Sequence, residues 1–318
     1  MENKKRKAIS IAWIHNFDRN ENPASGVFMY QFYEVVKGND INISLVNVGN
    51  INNPFSFIKK FVRYKQVLKK YDIVHAQYGS GIGFFASFLN NKKILSLRGS
   101  DWYFSPSRGL KEKIHTWLGC KLTRWSVKRY DQIIVMSDRM KSEIQPIYPN
   151  LNIVVIPDGV DLNKFYPMEK ESKKTFRVLF SSVDKANPLK RYGLALKSFN
   201  IFKEKYSDAE LIFMTGVEHN KVNKLINSVD VILLTSTHEG WPNIIKEGLA
   251  CNVPFVSTDV SDLKVLALKT KTCHVCDVNP VSIANALEKI AEKKDSEYLR
   301  EFAQPFEIGQ VGNELIKI

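Results

Sequence analysis

The sequence predicts an α/β protein made of two Rossmann-like, doubly wound parallel-sheet domains facing a cleft, and three observations carry that expectation. Short apolar runs alternate with segments of helical periodicity as far as residue 98, the pattern of a parallel sheet covered by helices on both faces. A second alternation of the same kind begins near residue 176. The length, 318 residues, is long for one core and comfortable for two.

In chain order, strands are expected over 8–14, 41–48, 72–77 and 93–98, with helices over 27–37, 55–70 and 81–90 between them. The polar segment 168–175 reads as a linker. The second set comprises a strand at 176–181, a helix at 189–206, a strand at 209–214, a helix at 217–228 and a strand at 229–235. A helix from Asn243 to Ala250 and a strand at 253–258 follow. The domains expected are thus 1–165 and 166–305, followed by the tail 306–318. Doubly wound domains bind ligand at the carboxyl ends of their strands.

Composition narrows the class. With 44% hydrophobic and 25% charged residues the chain is globular and not disordered. Cys120, Cys251, Cys273 and Cys276 are too scattered for a disulfide framework, which points to a reducing cytoplasm. Cys273-His-Val-Cys276 has no second pair to complete a zinc site. Lys4-Lys-Arg-Lys7 ahead of an apolar run resembles a leader, but polar residues from His15 onward occupy the place of a cleavage site, so the run reads as the first strand. No apolar run approaches the roughly 20 residues that cross a bilayer. The expected location is the cytoplasm, with peripheral attachment to the inner face of the plasma membrane.

The net charge of +13 is lopsided: residues 1–165 hold 25 Lys and Arg against 13 Asp and Glu, while residues 166–318 hold 21 against 20. A charge confined to one half speaks of that half's partner. Segments 55–70 and 110–129 place apolar groups at helical spacing with Lys and Arg between them. Either an ordinary sheet-packing helix or an interfacial helix on anionic lipid fits that pattern, and Trp117 and Trp125 suit the second.

The stretch 236–250 follows the apolar run 229–235. After the Gly240 turn, Pro242 can take the first helical position, where its missing N–H costs nothing. A strand running through a glycine turn into a helix leaves free N–H groups at a sheet's carboxyl edge, and these bind anions. Glu239 and Glu247 flank this site. Carboxylates repel phosphate, so they make sense only if the ligand carries hydroxyls on both sides of its phosphates, as a nucleotide-sugar does. The plain alternative is a first-turn dipole partner and a solvated helix residue.

Glu239-Gly-Trp-Pro-Asn-Ile-Ile-Lys-Glu247 resembles the Glu-x7-Glu signature of retaining glycosyltransferases of the GT-B fold, especially glycosyltransferase family 4 (glycosyl transferases group 1). Ile156-Pro-Asp-Gly-Val-Asp-Leu-Asn-Lys-Phe-Tyr-Pro167 and Pro254-Phe-Val-Ser-Thr-Asp259 resemble the family's interdomain segment and a following strand, and the tail 306–318 resembles its C-terminal helix, which implies packing back on the first domain. The resemblance implies a metal-independent enzyme without a cofactor, whose co-substrate is a nucleotide-sugar of unknown base. It implies a glycan or lipid-linked acceptor in bacterial surface polysaccharide synthesis. An anionic membrane is an expected partner, and nucleic acid is not.

The resemblance also implies roles. Glu239 would act in catalysis together with Lys185 and Lys190, whose charges face the leaving phosphates, and Arg191 is a substitute if the register slips. Gly240, Trp241, Pro242, Asn243, Ile244 and Glu247 would bind the donor, as would Gly26, in a glycine loop from Asn22 that lets backbone approach the pyrophosphate. Leu97-Arg-Gly-Ser-Asp-Trp102 resembles the family's HGxD segment, with Arg98 in place of histidine. Arginine keeps its proton, so Arg98 could bind phosphate but not serve as a base. His75 and Asp101 are the acceptor-side candidates, His75 reading equally well as a hydrogen-bonded packing residue.

Three other readings compete. Gly79-Ser-Gly-Ile-Gly83 is not the dinucleotide fingerprint G-x-G-x-x-G and does not follow the first strand, which argues against a nicotinamide oxidoreductase. A non-catalytic binder of polyanions or membrane would explain the charge alone. A nucleotide-sugar epimerase of the same fold lacks supporting residues.

Overall fold

The computed structural model describes residues 9–18, 25–37, 41–51, 53–169, 175–293 and 297–318. Two parallel sheets of six and five strands, each flanked by helices, make up the architecture, so the expected α/β class holds. Contacts group the described residues into two compact units. Unit 1 holds those up to Phe104 with Ile114–Gly159 and Val311–Ile318; unit 2 holds Ser105–Lys113 and Val160–Gln310. Of the segment read as a linker, 170–174 lie outside the described residues.

Unit 1 contains β1 (Ser10–His15), α1 (Val27–Val36), β2 (Asn42–Asn47), α2 (Pro54–Leu68), β3 (Ile73–Ala76), α3 (Ser80–Ala86) and β4 (Lys92–Leu97). Most of α4 (Leu110–Ser126) follows, then β5 (Gln132–Val135), α5 (Asp138–Ile144) and β6 (Ile153–Val155). The strand order is β2-β1-β3-β4-β5-β6. Every residue of β3 and β5 is buried, as the short apolar runs of a two-face-covered sheet require. Strands β5 and β6 are not among the elements expected above, and β6, at three residues, is too short to show a period. Chain order reverses between β1 and β3, so the crevice of this sheet opens at their carboxyl ends.

Two helices of this unit carry unusual faces. Helix α2 turns Phe57, Phe61, Tyr64 and Leu68 toward the core, yet Phe55 (85% exposed), Ile58 and Val62 form a second apolar stripe in water. Helix α4 is inverted: its buried residues are Cys120, Thr123 and Ser126, while Ile114, Trp117, Leu118 and Trp125 are exposed. Phe84 and Phe88 pack on Trp125, and Arg129 stacks 3.4 Å from its ring centroid. The expectation of an ordinary helix with a solvated polar face therefore fails for α4. The helix ends at Ser126 and continues as a 3₁₀ turn, Val127–Arg129.

Unit 2 contains β7 (Arg177–Ser181), α6 (Tyr192–Lys205), β8 (Glu210–Met214), α7 (His219–Asn227), β9 (Val231–Leu234), α8 (Asn243–Ala250) and β10 (Phe255–Thr258). After these come α9 (Leu263–Ala267), β11 (His274–Cys276), α10 (Pro280–Ala291), a 3₁₀ segment (Arg300–Phe306) and α11 (Ile308–Ile316), which belongs to unit 1 from Val311 onward. The order β11-β10-β9-β7-β8 reverses between β7 and β9. The loops after those two strands thus frame this unit's crevice.

Two boundaries differ from the sequence expectation. Helix α6 starts at Tyr192, not near 189, because Arg191 adopts a left-handed φ of 50°. Pro242 precedes α8 in an extended conformation, φ −70° and ψ 116°, and Asn243 is the first helical residue. Its ψ, not its φ, keeps it in the turn.

The Arg300 guanidinium donates to three backbone carbonyls, of Phe165, Ala250 and Leu162, each at 2.6 Å. It ties the segment entering unit 2 to the end of α8. Replacing Arg300 by Met leaves these acceptors without a donor, and the expected loss is about 2–4 kcal/mol. Urea unfolding followed by tryptophan fluorescence measures it.

Candidate active site

In unit 2, the loops after β7 and β9 are stitched together by backbone. Thr237 N–H donates to Leu189 O at 2.9 Å, and Thr235 Oγ1 donates to Lys190 O at 2.7 Å. Arg191 supplies the brace: Nε donates to Thr235 O and Nη2 to Ser236 O, both at 2.6 Å, and Nη2 reaches Thr258 Oγ1 at 3.2 Å. Its guanidinium is committed to the ends of β9 and β10. Lys185 is exposed, its Nζ 5.2 and 5.3 Å from the ring centroids of Tyr192 and Phe213.

Lys190 and Glu239 meet. Lys190 Nζ donates to Glu239 Oε1 at 2.5 Å, and Ser236 Oγ donates to the same oxygen at 2.6 Å. Both side chains are mostly buried, with 22% and 15% of their surfaces exposed. Gly240 and Trp241 continue the loop into Pro242 and α8. Ser261 Oγ holds Gly240 O at 2.6 Å, and the Trp241 ring packs 4.4 Å from that of Phe306. Lys246, fully buried, sits beneath both rings, at 5.6 and 5.7 Å. Trp241 therefore anchors the loop. Asn243 is exposed at the helix start and Ile244 is buried, and the first-turn N–H groups of such a helix have no acceptor within it.

Glu247 lies one helix turn beyond Asn243 and is half-buried. Burial pushes its carboxyl up from 4.5 to about 7, against the pull of Lys246 and Lys164. Lys164 belongs to the segment 156–167, for which the sequence suggested a place but no role. His238 was likewise not singled out. Its Nε2 lies 3.0 Å from Ser105 Oγ, and Arg108 Nη2 donates to Asp184 Oδ2 at 2.6 Å, so residues 105–113 close on the two site loops. No short motif marks such a segment in sequence.

In unit 1, Gly26 caps α1 with φ 65°, and a Cβ there would lie 2.6 Å from Phe17. Residues 22–24 of the glycine loop lie outside the described residues. Asp101 is fully buried and accepts from the N–H groups of Gly79 (2.8 Å), Arg98 (2.9 Å) and Gly99 (3.0 Å). Burial raises its pKa while these bonds oppose the rise. His75 is buried with Nε2 2.8 Å from Ser96 Oγ, and burial pushes its pKa down to about 3, so it stays neutral. Arg98 pairs with Asp158 and donates to the side chain and the carbonyl of Gln77.

Two doubly wound parallel sheets, each with its crevice at a topological switch point, are the architecture of the GT-B glycosyltransferases. More narrowly, the chain belongs to glycosyltransferase family 4: residues 30–164 match "Glycosyltransferase Family 4" and residues 190–293 match "Glycosyl transferases group 1". It is 21% identical over 245 residues to an uncharacterized glycosyltransferase of Methanocaldococcus jannaschii, a match covering 65% of this chain and 60% of that one. To a probable sucrose-phosphate synthase of Thermosipho melanesiensis it is 26% identical over 168 residues, covering 41% and 40%. The matches thus span less than two thirds of either relative.

Among solved structures, sucrose-phosphate synthase from Thermosynechococcus elongatus superposes with a TM-score of 0.72 at 14% identity, covering 97% of this chain and 98% of that one. Anabaena HepE, solved in complex with UDP-glucose, gives 0.63 at 13% identity with the same coverage. These likenesses show the fold.

Because Glu247 is raised in the folded chain, the stability it brings is whole below about pH 4.5 and lost as pH rises through about 7. Glu247→Gln mimics the neutral acid. Melting curves should show the variant matching the parent near about pH 5 and exceeding it near about pH 8.5.

Proposed function

We propose that this protein is a retaining glycosyltransferase, moving a sugar from a nucleotide-sugar to a glycan or lipid-linked acceptor in bacterial surface polysaccharide synthesis. The observation that carries the reading is the Lys190–Glu239 pair held by Ser236 at the mouth of α8, with Glu247 farther along the same helix. The amide-rich helix start and the lysines suit a diphosphate on which negative charge grows, and the two carboxyls suit the hydroxyls at its ends. Donor binding would part Lys190 from Glu239, freeing the cation for phosphate and the acid for the sugar. Anabaena HepE was captured with UDP-glucose, which makes UDP-sugars the first donors to test.

The acceptor oxygen bonds to the anomeric carbon as the bond from that carbon to the phosphate oxygen breaks. Neither His75, held neutral against Ser96, nor Arg98, which keeps its proton, suits the acceptor's proton. That supports its passing to the departing phosphate on the same face of the sugar. This scheme calls for no metal.

In a thermal-shift screen with UDP-, GDP- and ADP-sugars, a true donor at 100 times its dissociation constant raises stability by about 2.7 kcal/mol. Glu239→Ala and Lys190→Ala should abolish the shift. A non-catalytic polyanion binder would instead keep tight, salt-sensitive polyanion binding in both variants.

The exposed apolar stripes of α2 and α4, set among Lys and Arg, support attachment to an anionic membrane. Each basic residue near such a surface contributes about 1 kcal/mol. In liposome sedimentation, the bound fraction should rise with phosphatidylglycerol content and fall when Trp117 and Trp125 are both changed to Ser. Indifference to anionic lipid would refute the attachment.

A further inference from the structure

We propose that Gln77 is a substrate-binding residue whose side-chain amide donates to a neutral hydroxyl oxygen of the acceptor, with Arg98 and Asp158 holding it in place. The proposal rests on the glycosyltransferase reading, with unit 1 as the acceptor side. Gln77 directly follows β3, at the carboxyl end of the strand beside which chain order reverses, where this sheet's crevice opens.

Its backbone is pinned: the N–H donates to Ile14 O at 3.1 Å, and the carbonyl accepts from Arg98 Nε at 3.3 Å. Its side chain is pinned too, since Oε1 accepts from Arg98 Nη2 at 3.0 Å. A guanidinium only donates, so the amide oxygen must face it and Nε2 must point away. That nitrogen is buried and has no hydrogen-bond partner among the described residues, in a residue only 1% exposed. Buried amide donors nearly always find an acceptor in a folded protein. One held by three other bonds and lacking an acceptor among the described residues is placed to donate to a ligand.

The chemical class follows from Arg98. Its charge is met by Asp158, Nη1 also reaches Met136 Sδ at 3.4 Å, and the Phe28 ring covers the guanidinium at 4.4 Å. Little of this cation is left for a phosphate. A sugar hydroxyl, which accepts from the amide without bringing charge, fits. Nε2 is out of reach of bulk water, so the neighbouring side chains shift as the ligand enters. Arg98 and Asp158 are positioning residues.

Gln77→Glu keeps the oxygen that Arg98 grips and replaces the amide donor with a second carboxylate oxygen, so the clamp survives and the donor is lost. The probes are glucose, galactose and mannose, titrated into the full chain labelled with nitrogen-15, with the Gln77 side-chain amide signals identified by their absence in the variant. At least one hexose should shift those signals in the parent protein. In the variant its affinity should fall about tenfold near about pH 8, or about 1.4 kcal/mol. Affinity should recover toward about pH 5, where the new carboxyl, raised by burial against the pull of Arg98, takes up a proton and donates again. UDP-glucose affinity should stay within about twofold, since its site is read in unit 2, and Arg98→Lys should weaken the hexose in the same direction.

Unresponsive Gln77 signals, or a variant that binds hexose as the parent does at both pH values, would overturn the proposal. A hexose loss that does not recover in acid, with a lower melting temperature, would mark Gln77 as merely structural and overturn it as well. Failure to bind UDP-sugars alone would strike the donor reading, leaving the hexose titration to decide this one.

Discussion

The unit 2 site depends on where one guanidinium goes. Arg191 sits in a left-handed conformation at the head of α6, and its side chain spans the carbonyls of Thr235 and Ser236 and the hydroxyl of Thr258. These atoms end two neighbouring strands, so a single planar fork sets the spacing between them. Lys190, one residue earlier, is thereby delivered to Glu239. Lysine at position 191 could carry the charge but not bridge two carbonyls in one plane. The backbone strain at this residue is offset by three bonds that only its side chain makes.

Unit 1 uses the same device with a different outcome. Arg98 also reaches a strand end, but it meets a carboxylate, a carbonyl and an amide, and its charge is consumed there. The sequence shows only that arginine stands where histidine is usual in the resembling segment. That the replacement is met by an aspartate 60 residues away is visible only in the fold. Arginines 98 and 191 thus present as cations in sequence and as braces in space.

Much of the fold was legible because parallel sheets write themselves as short β-branched runs between helical periods: β2, β3, β7, β8, β9 and β10 lie within the expected segments, and β1 and β4 overrun theirs by one residue. Strands β5, β6 and β11 were not; β6 and β11 are only three residues long. Within the site, the turn and helix from Glu239 to Glu247 were readable from glycine, proline and acid spacing. The tasks of Trp241 and Asp101 were not, because each depends on a partner distant in sequence: Phe306 and the Gly79 amide. Helix α4 stayed open between two readings because periodicity reports that a helix has an apolar stripe, not which way the stripe points.

The contact between Trp241 and Phe306 joins the signature loop to a ring 65 residues downstream, with the Lys246 ammonium beneath both. A chain trimmed just before that ring would retain every residue by which the family is recognised. It would nonetheless lose the floor on which the loop is seated. Where such an enzyme ends is therefore a poor place to economise, and a silent shortened version would say more about its missing floor than about its chemistry.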